Sequence, residues 1–175
     1  MMKKTAVRPT GRESPFREDE IIVSKTDPRG RITYANSVFL RVSQYSAKEL
    51  LGQPHSIIRH PDMPRCVFKL LWETIEAKGE IFAYVLNMAS NGDHYWVFAH
   101  VTPTLDAHGN IIGYHSNRRK ADPAQIAKIA PLYQSLLAEE NRAADRKLGM
   151  QKSYDQFQAL LRGKGTAYDE FVFSV

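Results

Sequence analysis

Between Ile81 and Ser116 the chain runs through three β-patterned segments separated by two turn signals, and nothing else in it restricts the fold so strongly. Ile81–Met88 is rich in β-branched and aromatic residues, and the Asn91-Gly92 pair that follows is a strong signal for a tight hairpin turn. His94–Thr102 continues the pattern, Asp106-Ala107-His108-Gly109-Asn110 supplies the second turn, and a last strand runs from Ile111 to about Ser116. Strands joined by such short turns pair antiparallel. In the segment from His94 both alternating sets, Tyr95/Val97/Ala99/Val101 and His94/Trp96/Phe98/His100, carry apolar bulk. Both faces of the sheet are therefore expected to be covered, one by a pocket and the other by a terminal segment or a second subunit.

An earlier hairpin precedes this unit: Ile21-Ile22-Val23, a turn at Asp27-Pro28-Arg29-Gly30, then Arg31–Tyr34. Two short helices come next, the second announced by a capping box at Ser46 and Glu49. Val67, Leu70, Leu71, Thr74 and Ile75 then mark the face of a longer helix that starts near Pro64 and stops at Gly79. The order predicts an α+β fold, a five-stranded antiparallel sheet with helices on one face and a pocket between them. After the strands, Asp122 and Pro123 open a helical extension, in which Pro131 is expected to bend or break the helix. A final apolar stretch, Phe171-Val172-Phe173, is patterned to make a contact. The organisation expected is a flexible N-terminal arm over 1–18, one domain over 19–121, and a helical extension with an apolar tail over 122–175.

Twenty-four Lys and Arg against 19 Asp and Glu leave a formal charge of +5. The basic residues are interspersed with acidic ones instead of forming a stripe with stacking aromatics, which argues against nucleic acid as a partner. No apolar run approaches the roughly 18 residues a membrane span needs, and the N-terminus lacks the pattern of a secretory signal, so a cytoplasmic location is the expectation. The lone cysteine, Cys66, excludes an internal disulfide and is expected to be an inert structural thiol, since its neighbours Val67 and Phe68 are apolar.

Chemistry concentrates in Arg59-His60-Pro61-Asp62-Met63-Pro64. These residues lie at the N-terminus of the longer helix, where free amides and the helix dipole favour anions, and arginine is the side chain best shaped for phosphate oxygens. An Arg59–Asp62 pair that only pins the loop explains the same residues, and on composition alone it is the plainer reading. Trp72, Tyr84, Tyr95, Trp96, Phe98 and Tyr114 would line a pocket suited to an aromatic ring system, although most such residues are core wherever they occur. The six histidines show no His-x-x-x-His or Cys-x-x-Cys spacing, which speaks against zinc and leaves haem open. No Gly-x-Ser-x-Gly nucleophile context occurs, and nothing demands an enzyme.

The element order resembles that of PAS sensor domains, and the motifs resemble the FAD-binding PAS domains of bacterial aerotaxis receptors. Tyr-x-x-x-Glu-Leu-x-Gly-Gln-Pro-His stands at Tyr45–His55, Arg-His-Pro-Asp-Met-Pro at Arg59–Pro64 and Asn-Gly-Asp-His-Tyr-Trp-Val at Asn91–Val97; the similarity covers roughly Ile21 to Leu137. The resemblance implies a redox or oxygen sensor with non-covalent FAD between sheet and helices, its positions matched here by Asn36, His55, Arg59, His60, Asp62, Trp72 and Asn87. It also implies output to a signalling protein partner, such as a chemotaxis component, or through a homodimer. Three departures stand out: Gly79-Glu80-Ile81-Phe82 lacks the family's tryptophan, Met88-Ala89-Ser90 replaces its basic turn, and no transmembrane segment or methyl-accepting coiled coil follows. The Asn-Cys-Arg-Phe-Leu motif of LOV photoreceptors is absent. A haem-binding PAS gas sensor and a cofactor-free PAS interaction module are the alternatives.

Overall fold

The structure, a computed structural model, describes residues 7–175. Its strands are β1 (Ile22–Thr26), β2 (Ile32–Ala35), β3 (Ile81–Met88), β4 (His94–Leu105) and β5 (Ile111–Lys120). They form one antiparallel sheet in the order β2-β1-β5-β4-β3. Between the hairpins lie α1 (Ser37–Ser43), α2 (Ala47–Leu50), a 3-10 turn (His55–Ile58) and α3 (Arg65–Glu76). The extension forms α4 (Pro123–Arg142), α5 (Arg146–Lys164) and α6 (Tyr168–Ser174).

Local chemistry sets the boundaries. Asn36 caps α1 with its side-chain oxygen on the Phe39 amide, and the Ser46/Glu49 capping box opens α2 as expected. β5 runs four residues beyond the expected end at Ser116, because Asn117–Lys120 read as a charged loop yet pair with β1 and β4. Pro131 does not break α4; it sits on the exposed side, where a missing hydrogen bond is cheapest.

β3 is an edge strand, and its free carbonyls are closed one after another. Tyr168 Oη donates to Phe82 O at 2.8 Å, Tyr133 Oη donates to Tyr84 O at 2.6 Å, and the His60 amide reaches Leu86 O at 3.4 Å. An edge that would otherwise pair with another chain is thus satisfied within this one. The same arrangement lays α4 and α6 over the outer face of the sheet, where Trp96 stacks on Tyr133 at 6.0 Å and Phe82 meets Phe173 at 4.8 Å. The second cover expected for the sheet is therefore the C-terminal segment.

Residues 8–16, placed by composition in an N-terminal arm, lie against the β3–β4 turn. Thr10 N and Ser14 N donate to Gly92 O and His94 O at 3.0 and 2.8 Å, and Phe16 is buried in the main core. Gly92 is required here, since a Cβ on it would stand 2.2 Å from Arg8 O. Residues 1–6 of that arm lie outside the described residues.

Candidate functional site

A cavity of about 280 Å³ lies between the inner face of the sheet and α3. Its helical wall is Phe68, Leu71, Trp72 and Ile75, spaced to share one face of α3. Its floor is built from alternate residues of four strands: Ser24 and Thr26 on β1, Tyr114, Ser116 and Arg118 on β5, Ala99 and Val101 on β4, and Val85 and Asn87 on β3. The small side chains Ser24, Ser116 and Ala99 hollow the centre of the sheet, while Trp72 is held edge-on to Tyr114 at 5.4 Å. The 3-10 turn closes one side with His55 and Ser56.

The cavity's polar chemistry is one-sided. Arg29, Arg59 and Arg118 line it, and among the described residues no aspartate or glutamate does. Thr26 Oγ1, Arg59 Nε, Asn87 Nδ2, and Nε and Nη1 of Arg118 are buried there with no protein partner. Buried polar atoms are normally satisfied, so this group of orphans marks a place for a ligand with acceptor atoms. Arg118 is 2% exposed, and its guanidinium lies 4.3 Å from the Phe39 ring. Burial draws its pKa down to about 10, which leaves it charged at neutral pH.

Arg118 Nη2 donates to Ser24 Oγ at 2.7 Å, and Ser24 Oγ lies 3.0 Å from His55 Nε2. Ser24 Oγ thus joins the Arg118 guanidinium to the His55 ring. Burial, then the Arg118 charge, push the His55 pKa down to about 3. Burial lowers that of His60 in the same direction. The unfolded chain, with histidine near 6.5, then binds more protons than the folded one as pH falls below that value, so stability is full above it and lost toward acid. We expect a loss of about 1 kcal/mol between pH 6 and 5 in urea titrations, and a flatter profile in His55→Gln. An equal slope in the two proteins would remove His55 from that account.

The structure brings His55, Arg59, Trp72 and Asn87 together on the cavity. It separates the other expected residues from it. Residues 59 and 60 run alongside β3, with Arg59 bridged to Asn87, so their side chains point to opposite sides: Arg59 inward, stacked on Phe68 at 3.9 Å, and His60 outward. His60 and Asp62 line a second hollow with His94, Trp96 and Tyr133. There the Asp62 amide donates to His60 Nδ1 at 3.1 Å, and no Arg59–Asp62 ion pair forms. Asn36 is a bracket for the wall: besides capping α1, its Oδ1 accepts from Val23 N at 3.0 Å and its Nδ2 donates to Ile21 O at 2.8 Å. Sequence reasoning missed Arg118, Ser24 and Arg29. The signal for Arg118 was the alternation Tyr114, Ser116, Arg118, which continues past the point where the strand was expected to end.

Cys66 lies outside the cavity lining. It is buried, accepts from Ser153 Oγ at 3.1 Å, and has its pKa pushed up to about 12 by burial, the state of an inert thiol.

A five-stranded antiparallel sheet with a ligand-sized slot between its inner face and a short-helix layer defines the class: this is a PAS domain, and the PAS fold family matches residues 32–118. The chain belongs to that family. It is 43% identical to the aerotaxis receptor of Escherichia coli K12 over 130 residues, 74% of this chain and 25% of the receptor. It is 31% identical to a nitrogen fixation regulatory protein of Klebsiella pneumoniae over 57% of this chain and 20% of that one. The chain thus spans a quarter or less of these relatives. Among solved structures, the light state of the blue-light photoreceptor Aureochrome1 LOV aligns with a TM-score of 0.54 and 26% identity, over 70% of this chain and 91% of that one.

Proposed function

We propose that the cavity holds a flavin, as FAD, and that the chain is a redox or oxygen sensor of the energy-taxis type, signalling through a partner protein or a second copy of itself. One observation carries the reading: an apolar slot walled by Phe68, Leu71 and Trp72 carries three arginines, no carboxylate among the described residues, and orphaned donors on Arg59, Asn87 and Arg118. That donor set fits an aromatic heterocycle with carbonyl and ring-nitrogen acceptors. The similarity to an aerotaxis receptor supports the same kind of signal.

In this reading Trp72 and Phe68 supply the apolar wall, Asn87 and Arg118 donate hydrogen bonds, and His55 holds Ser24 and Arg118 in place. Arg59 faces the cavity from the 3-10 turn side, while Asn36, His60 and Asp62 brace the elements around it. A bound flavin supplies reversible uptake of electrons. The amide of Asn87 can bond differently to a ligand whose charge and protonation change, and only such differential contacts shift a protein between states. β3 carries Asn87 on one face and holds α4 and α6 along its edge, so it links the cavity to the C-terminal helices.

The test is the absorbance of protein purified with its native ligand, followed by acid extraction and chromatography. Flavin bands and released FAD are expected. A Soret band would replace the proposal with a haem sensor, and a colourless protein that takes up no flavin would make the domain a cofactor-free interaction module.

A further inference from the structure

The cavity is too small to enclose a whole dinucleotide, so whatever extends from a ring seated in it leaves through the open side. That rim is formed by Arg29, Pro54 and Ser56, all exposed. Of the three arginines that line the cavity, Arg59 and Arg118 belong to its interior and Arg29 to its exposed rim.

Arg29 is held at the rim by a turn with little freedom. Asp27 Oδ1 accepts from the amides of Arg29 and Arg31, both at 2.9 Å, and Gly30 N donates to Asp27 O at 3.0 Å. Gly30 is buried with φ +76°, and a Cβ on it would lie 3.0 Å from the Trp72 ring, so the turn is pressed against the cavity wall. Gly30 O also accepts from His55 N at 2.9 Å, which fixes the turn to the opposite side of the rim. Asp27, the nearest carboxylate in sequence, turns Oδ1 to those amides and forms no ion pair with Arg29. Arg31 reaches away to Gly52 O at 3.0 Å. Among the described residues the Arg29 guanidinium has no ion pair and no hydrogen bond. A positioned, always-charged fork at the mouth of a slot is suited to a phosphate.

Resting on the flavin reading above, we infer that Arg29 receives the phosphate that a flavin nucleotide carries out of the cavity. It therefore selects phosphorylated flavins over riboflavin. Ser56, across the rim, adds a hydroxyl. Arg29 is exposed and lies outside the core, so its replacement leaves folding intact.

The experiment titrates flavin-depleted full-length protein with FAD, FMN and riboflavin, for the wild type, Arg29→Gln and Arg29→Lys, at low and high salt. The glutamine variant is expected to bind FAD and FMN about tenfold more weakly, with riboflavin affinity unchanged. The lysine variant should recover part of the loss, and added salt should weaken nucleotide binding more in the wild type than in the glutamine variant. Equal losses for all three ligands, or no loss for any, overturn the assignment of Arg29 while leaving a flavin-binding wild type in place. A wild type that takes up none of the three overturns both readings.

Discussion

Replacing Arg118 by methionine is expected to stabilise the ligand-free protein while stripping it of flavin. An arginine 2% exposed, with Nε and Nη1 unpartnered and no carboxylate lining its cavity among the described residues, is a charge taken from water with little in return. One hydrogen bond to Ser24 and the Phe39 face offset part of the cost. Apolar side chains of similar volume in place of buried ion groups are commonly neutral or stabilising, by about 1 to 4 kcal/mol, and methionine follows the same path through the core. The denaturation midpoint of the flavin-depleted variant should therefore rise, by an amount equivalent to about 1 to 3 kcal/mol. Flavin affinity should fall at least tenfold, because two buried donors facing the ligand are gone. Any flavin that stays bound should be harder to reduce, since a nearby cation favours the form with more negative charge. Opposite signs for stability and binding distinguish a residue kept for its ligand from one kept for the fold. A methionine variant that is both destabilised and fully loaded with flavin would show that Arg118 serves packing alone.

How much of this was legible beforehand follows the range of the physics. The hairpins, α2 and α3 are specified by neighbours: the Asn91-Gly92 turn, the Ser46/Glu49 box and the apolar stripe of α3 each act within a few residues. Arg59 was found because it stands in one of the long motifs that resemble a family, and Trp72 and Asn87 as single positions matching that family, outside those motifs. Arg118 was not, because Asn117-Arg118-Arg119-Lys120 has the composition of a loop, and only pairing with residues nearly a hundred positions away makes it a strand with one side chain turned inward. His60 and Asp62 illustrate the converse. Adjacent to Arg59 in sequence, they share its motif but not its cavity, since a segment running along a sheet edge sends successive side chains to opposite sides. The tail was legible as a contact-forming stretch, but its target, the outer face of β3 and β4, depends on the whole course of α4 and α5.

Glu140→Ala is expected to cost about 3 kcal/mol of folding stability, roughly 6 to 12 °C in the thermal midpoint of a chain this size. α3 begins after Pro64, which provides no side-chain cap, so its first amides have no local acceptor. The acceptor comes from α4. Glu140, 2% exposed, takes the Cys66 amide on Oε1 at 2.9 Å and Arg65 Nε on Oε2 at 3.0 Å. It thus caps the positive end of α3 from another helix and pairs with a cation in the same contact. The glutamine variant keeps the shape and one accepting oxygen but turns an amide toward Arg65, and should lose about half as much. The site lies where α4 and α5 meet: a Cβ on Gly149 would stand 2.2 Å from the main-chain oxygen of Glu140, so only glycine lets the two backbones come this close beside the carboxylate. Because α3 supplies the cavity wall from Phe68 to Ile75, a shift of its N-terminus is felt in α4 through Glu140, as it is in α5 through the Ser153–Cys66 and Tyr154–Glu73 hydrogen bonds. The alanine variant should therefore also show faster proteolysis within 142–175 at temperatures where the sheet is still folded. A loss below 1 kcal/mol with unchanged proteolysis would mean that α3 and the extension are held together by their apolar faces, with Glu140 incidental to both.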